Sequence, residues 1–150
     1  MPGERARAYL VTKEEITPMP SQVFKQGPSR TEFREFMRIL PKRRFTLGGK
    51  AVVFVVCGEI DVFRPDANLK FPGHFPEYDV IANPTHTLRG HWNYLGAKLE
   101  RLSKRGLALH TTNNNKNRPG LTSNVRIYKD GVRQPGPNEN GKIAWCEVEA

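Results

Sequence analysis

Six consecutive apolar residues, Ala51 to Val56, run directly into Cys57-Gly58-Glu59. Five of the six are β-branched or aromatic, which predicts an extended strand, buried on both faces, in the middle of a mainly parallel sheet. Upstream, Ala8 to Val11 predicts a short strand ending at Lys13. Three prolines and a Gly-Pro pair between Glu14 and Ser29 predict a loop. Ser29 and Glu32 then fit a capping box, and Phe33, Phe36, Met37 and Leu40 follow at helical spacing until Pro41. Leu47-Gly48-Gly49-Lys50 is a turn into the apolar strand.

Downstream, Asp61 to Tyr78 is polar and proline-punctuated and predicts a helical turn or little regular structure. Val80-Ile81-Ala82 is a second buried strand, stopped by Asn83-Pro84. His91 to Lys104 reads as a helix with Trp92, Leu95, Leu99 and Leu102 on one face, and Gly106 suits the position just past its end. Leu107 to Thr112 is a third strand, and Asn113 to Gly120 a surface loop. Val125 to Tyr128 is a fourth strand with a hairpin signal at Lys129-Asp130-Gly131. Arg133 to Lys142 is loop-like, and Ile143 to Val148 returns as a final strand. Strands and helices in this order imply α/β architecture in one domain over residues 1–150.

Composition narrows the class. A length of 150 residues suits a single domain with a real core. No apolar run approaches the ~18 residues needed to cross a membrane, and MPGERARAYL lacks the apolar segment of a secretory signal. A soluble, cytoplasmic protein with no membrane partner is expected. Cys57 and Cys146 are too few and too far apart for a disulfide framework, and there is no Cys-x-x-Cys spacing. His86, His91 and His110 match no zinc motif, so neither a metal nor a cofactor is expected. The 24 basic and 15 acidic residues give a net charge of +9. That charge is spread out, although Lys42–Arg44 and Arg101–Arg105 are locally dense, and no nucleic-acid-binding motif accompanies it. A nucleic-acid partner is open but not favoured.

In open α/β sheets, chemistry gathers outside the carboxyl ends of the strands, so a thiol at Cys57 is a candidate nucleophile. Several features then coincide in order: the strand ending in Cys57-Gly58-Glu59, the segment Asp79-Val80-Ile81 before Asn83-Pro84, and a helix bearing Glu100. The strand ending at Asn113-Asn114 and the segment Ser123 to Gly131 complete the series. Over about Tyr9 to Gly131 this resembles the carboxyl-terminal half of the carbon–nitrogen hydrolase, or nitrilase and amidase, superfamily. The resemblance implies a partial α-β-β-α sandwich with its amino-terminal part missing, a truncated domain whose exposed sheet edges favour a homo-oligomer.

It also implies roles. Cys57 would attack the carbon of a small amide or nitrile substrate, and Lys13 would stabilise the anionic tetrahedral intermediate. The family's general-base glutamate has no counterpart before Lys13, which leaves activity of this chain open. Glu59 would line the pocket or restrain its loop. His86 and Asn83, at a strand end, would face the substrate, and His91 and Trp92 would line the pocket rim or position their helix. The competing reading is a non-catalytic basic interaction or nucleic-acid-binding module on a hydrolase-derived scaffold, recognisable by steeply salt-dependent binding.

Overall fold

The computed structural model describes residues 8–85, 92–112, 125–135, 138–140 and 143–145. The chain opens with a hairpin, β1 (Tyr9–Val11) and β2 (Ile16–Pro18), followed by helix α1 (Arg30–Ile39) and one 3-10 segment, Leu40–Arg43. Next come β3 (Arg44–Leu47), β4 (Lys50–Phe54), a second 3-10 segment at Cys57–Val62, and β5 (Val80–Thr85). Helix α2 (Trp92–Leu102) leads to β6 (Leu107–Thr112), β7 (Val125–Lys129) and β8 (Val132–Arg133). A last hairpin joins β9 (Asn138–Asn140) to β10 (Ile143–Trp145).

The fold is mixed α/β around a mixed six-stranded sheet with the order β3-β4-β5-β6-β7-β8. Its centre, β4-β5-β6, is parallel, and antiparallel hairpins close both sides. Register at the amino ends is set by Asp79. Its carboxylate accepts from the Ala51 N–H at 2.7 Å, its N–H donates to the Ala51 carbonyl, and its own carbonyl accepts from Leu107. One side chain and its backbone thus tie the starts of three strands.

Both helices pack on one face of the sheet. Phe33, Phe36 and Leu40 of the first helical segment, and Leu95, Leu99 and Leu102 of α2, meet Val53, Ile81, Ala108 and Tyr128. Each fully buried side chain of this kind contributes roughly 1.5–3 kcal/mol. The opposite face carries a second apolar cluster of Val52, Val80, Leu107 and Ile127, flanked by Leu47, Phe54, Leu109 and Val125. Val52 and Val53 therefore point to opposite sides, as period-two alternation requires.

The capping box forms as the sequence implies, with the Ser29 hydroxyl accepting from the Glu32 N–H and the Glu32 carboxylate accepting from Ser29. Both short turns are also as expected. Gly48 and Gly49 have φ of 55° and 78°, and Asp130 and Gly131 have 52° and 79°, the paired positive angles that a two-residue hairpin turn demands.

Other expectations are corrected. Residues 44–47 form an edge strand, β3, where only a turn was expected. Strand β5 continues through Pro84 to Thr85; the last bond it makes to the β4 side is the Val55 N–H to the Ala82 carbonyl, and Pro84, next in line, has no N–H to extend that ladder. Gly106 is not a left-handed cap; a Cβ there would lie 2.6 Å from the Tyr78 carbonyl oxygen, so glycine serves a close approach of backbones. The stretch 61–78 is irregular as expected but is not a polar excursion. Phe63 stacks edge-on with Phe75 at 4.9 Å between ring centres, and Phe71 likewise with Phe33 at 5.4 Å. Aromatic packing on the sheet does there what a crossover helix does between β5 and β6. The expected extension of the last strand to Val148 lies outside the described residues. No helix among the described residues is long and apolar enough to cross a membrane.

Candidate active site

Strand β4 ends at Phe54, and Val55 keeps one more ladder bond, its N–H donating to the Ala82 carbonyl at 2.8 Å. The chain then turns abruptly. Cys57 takes φ of 51°, the left-handed region that costs a side-chain-bearing residue roughly 1–2 kcal/mol. It is the first residue of the 3-10 segment Cys57–Val62, and its free thiol is partly exposed. A strained strand-to-helix turn of this kind, called the elbow below, is a geometry in which other enzymes present a nucleophile.

Glu59 holds the turn from beneath. Its side chain is fully buried and accepts from the Val56 N–H at 3.0 Å, from the Val23 N–H at 2.6 Å, and from the guanidinium of Arg43. Burial pushes the Glu59 carboxyl above its ordinary value, while Arg43 and the two backbone N–H groups oppose that shift. Arg43, itself fully buried, donates further to the carbonyls of Pro20 at 2.9 Å and Ser21 at 2.7 Å. Loop 20–23, the end of the first helical segment and the elbow are thus locked through one ion pair. These bonds tie the Glu59 side chain into the protein on both sides of its loop.

Asn83 holds the turn from the side. It is 1% exposed, and its amide nitrogen donates to the carbonyls of Val55 at 2.5 Å and Cys57 at 3.0 Å. Its carbonyl oxygen lies 2.8 Å from Nδ1 of His110, also 1% exposed. A substrate-facing role for Asn83 gives way to an internal one, since its polar atoms are spent on the protein. A third tie, Lys98 to Asp61 at 2.7 Å, pins α2 to the 3-10 segment.

Lys13 lies exposed in the tight turn between β1 and β2, where the Thr12 hydroxyl accepts from Glu14 and Glu15. It makes no hydrogen bond or ion pair among the described residues, so the water-excluded setting that oxyanion stabilisation requires is not built around it. His86 and His91 lie outside the described residues, and Trp92 opens α2. No cluster of three or more metal-ligating side chains occurs among the described residues. An open cleft of about 440 Å³, lined by Tyr9, Pro18, Met19, Ser21 and Lys42 among others, does not include the thiol.

Arg43 and His110 are the components that sequence reasoning missed. Arg43 sits in a basic run that reads as surface charge, and its partner is 16 residues away. His110 matches no zinc motif, and nothing near it in sequence signals its contact with Asn83, 27 residues away.

The chain matches no family model, and neither curated proteins nor solved structures give a match.

Proposed function

We propose that the chain is an amidase- or nitrilase-like hydrolase, acting on a non-peptide carbon–nitrogen bond through Cys57. The observation that carries this reading is the positive φ of Cys57, a partly exposed residue just past the carboxyl end of β4, the strand that pairs in parallel with β5. Strain of this kind persists only where surrounding structure over-determines it, and it gathers at functional turns.

In the proposed reaction the Cys57 sulfur bonds to the amide carbon and its proton passes to the departing nitrogen. The carbonyl oxygen becomes an oxyanion, and the N–H of Gly58, next after the nucleophile, is the donor that such an elbow offers. The C–N bond breaks, ammonia or an amine leaves, and a thioester remains. Water cleaves the thioester to a carboxylic acid and restores the thiol. Glu59 is committed to Arg43, so the general base is a group other than this carboxylate.

The two-layer arrangement, with helices on one face and an apolar cluster on the other, supports kinship with half of an α-β-β-α sandwich. A homo-oligomer pairing that second face belongs to the same proposal. The test is ammonia release from a panel of small amides and nitriles by the parent chain and Cys57→Ala. Loss of release in the variant, with folding intact, supports the reading; equal release by both proteins overturns it. Binding to nucleic acid or acidic protein that weakens steeply with salt and ignores Cys57 replacement would favour the basic-module alternative.

A further inference from the structure

We infer that Asn83, oriented by His110, is the positioning residue of Cys57, a role that rests on Cys57 being the nucleophile. The elbow leaves the sheet with the Val55 and Cys57 carbonyls pointing where a neighbouring strand would offer N–H groups. No strand N–H among the described residues meets them: the last β4–β5 bond is the Val55 N–H to the Ala82 carbonyl, and Pro84, next in line on β5, has no N–H to give. The Asn83 amide supplies both donors, to Val55 at 2.5 Å and to Cys57 at 3.0 Å. These bonds bracket the residue before the nucleophile and the nucleophile itself, so they set the backbone angles that aim its side chain.

The orientation of the Asn83 amide follows from its neighbours. Turned over, its oxygen would face two carbonyl oxygens and neither contact would be a hydrogen bond. With the nitrogen toward the elbow, the oxygen faces Nδ1 of His110, which must then carry a proton and donate. Asn83, His110 and Val55 are buried, where an unmade hydrogen bond costs most. Nothing in the cluster touches substrate. Its function is to hold Cys57 at a φ of 51° that the residue would otherwise leave.

A double-mutant cycle between Asn83→Ala and Cys57→Gly, read by urea unfolding, tests this. In the parent, removing the amide lets the elbow relax, and the recovered strain offsets part of the loss. Glycine at 57 has no such strain to recover. Asn83→Ala should therefore lower the folding constant about tenfold more in the Cys57→Gly background than in the parent. Equal losses in both backgrounds overturn the inference, whatever the chain hydrolyses. Asn83→Ser replaces the alanine variant if the double variant does not fold.

Turnover supplies the second readout. Asn83→Ala should lower kcat at least about tenfold with KM little changed, as expected for a group that aims the nucleophile without binding substrate. Gly106→Ala, a destabilising change at the other end of the sheet, should leave both unaltered. His110→Asn, which keeps a donor toward Asn83, should retain more turnover than His110→Leu. Parent-like kcat in Asn83→Ala overturns the positioning role. A parent chain without turnover defeats the hydrolase reading instead, and the unfolding cycle still decides the role of Asn83.

Discussion

The elbow at Cys57–Val62 and the hairpin at residues 9–18 carry the two side chains that the hydrolase resemblance singles out, and they are built in opposite ways. The elbow is over-determined: Arg43 and Glu59 beneath it, Asn83 beside it, and Lys98 bonded to Asp61 beyond it. The hairpin pairs with itself, and its apolar residues Tyr9, Val11 and Ile16 are 54%, 67% and 67% exposed. The contrast teaches where a strained backbone angle is affordable. A positive φ on cysteine needs several buried contacts to outweigh it, whereas a Thr-capped turn at the surface needs only local bonds.

Removing the ion pair should separate the two regions most. Glu59→Ala leaves the Arg43 guanidinium buried without its carboxylate, and a loss of about 3–5 kcal/mol is expected in urea unfolding. Gly106→Ala, which tests the amino ends of the same strands, forces a Cβ against the Tyr78 and Asp79 carbonyls and should cost about 1–3 kcal/mol. Tyr78 packs there too, donating its hydroxyl proton to the Leu102 carbonyl, and burial pushes its ionisation up to about 12. Because that value is raised on folding, the stability it contributes is fully present below about pH 10. It is lost as pH rises towards about 12, which alkaline unfolding followed by tyrosinate absorbance will read.

Cys57→Gly probes the elbow in the other direction. Relief of the left-handed strain should stabilise the fold by about 1 kcal/mol, less the entropy that glycine adds to the unfolded chain, and under the proposed function ammonia release from amides should cease. A destabilised Cys57→Gly protein would mean that thiol contacts outweigh the strain. The smallest effect belongs to the hairpin: Lys13→Ala should change stability by no more than about 0.5 kcal/mol. It should also leave the rate of Cys57 alkylation unaltered. A fall in either would bring the hairpin into the site.

Much of the frame is legible in the sequence. Ser29 and Glu32 announce the start of α1, paired glycines announce one hairpin, and Asp130-Gly131 the other, because such signals act through neighbours in sequence. The apolar run to Cys57 located strand β4 and the turn past its end, but β4 lies second from the edge of a mixed sheet and not in the middle of a mainly parallel one. The misses share a cause. Arg43 reads as a surface cation, Asn83 as a substrate contact and Phe63, Phe71 and Phe75 as part of a polar loop, because each takes its role from a partner remote in the chain.

By itself, then, the sequence determined both helices, strands β1, β4, β5, β6, β7 and β10, and the place of the thiol, since periodicity, capping and turn chemistry are local; β2, β3 and β9 fall where it predicted loop or turn. Tertiary structure alone decided that Cys57 stands at a positive φ, that Glu59 and Asn83 support it, and that Lys13 lies exposed. Burial and hydrogen bonding across 16 to 36 residues of separation set those outcomes, and no local pattern encodes them.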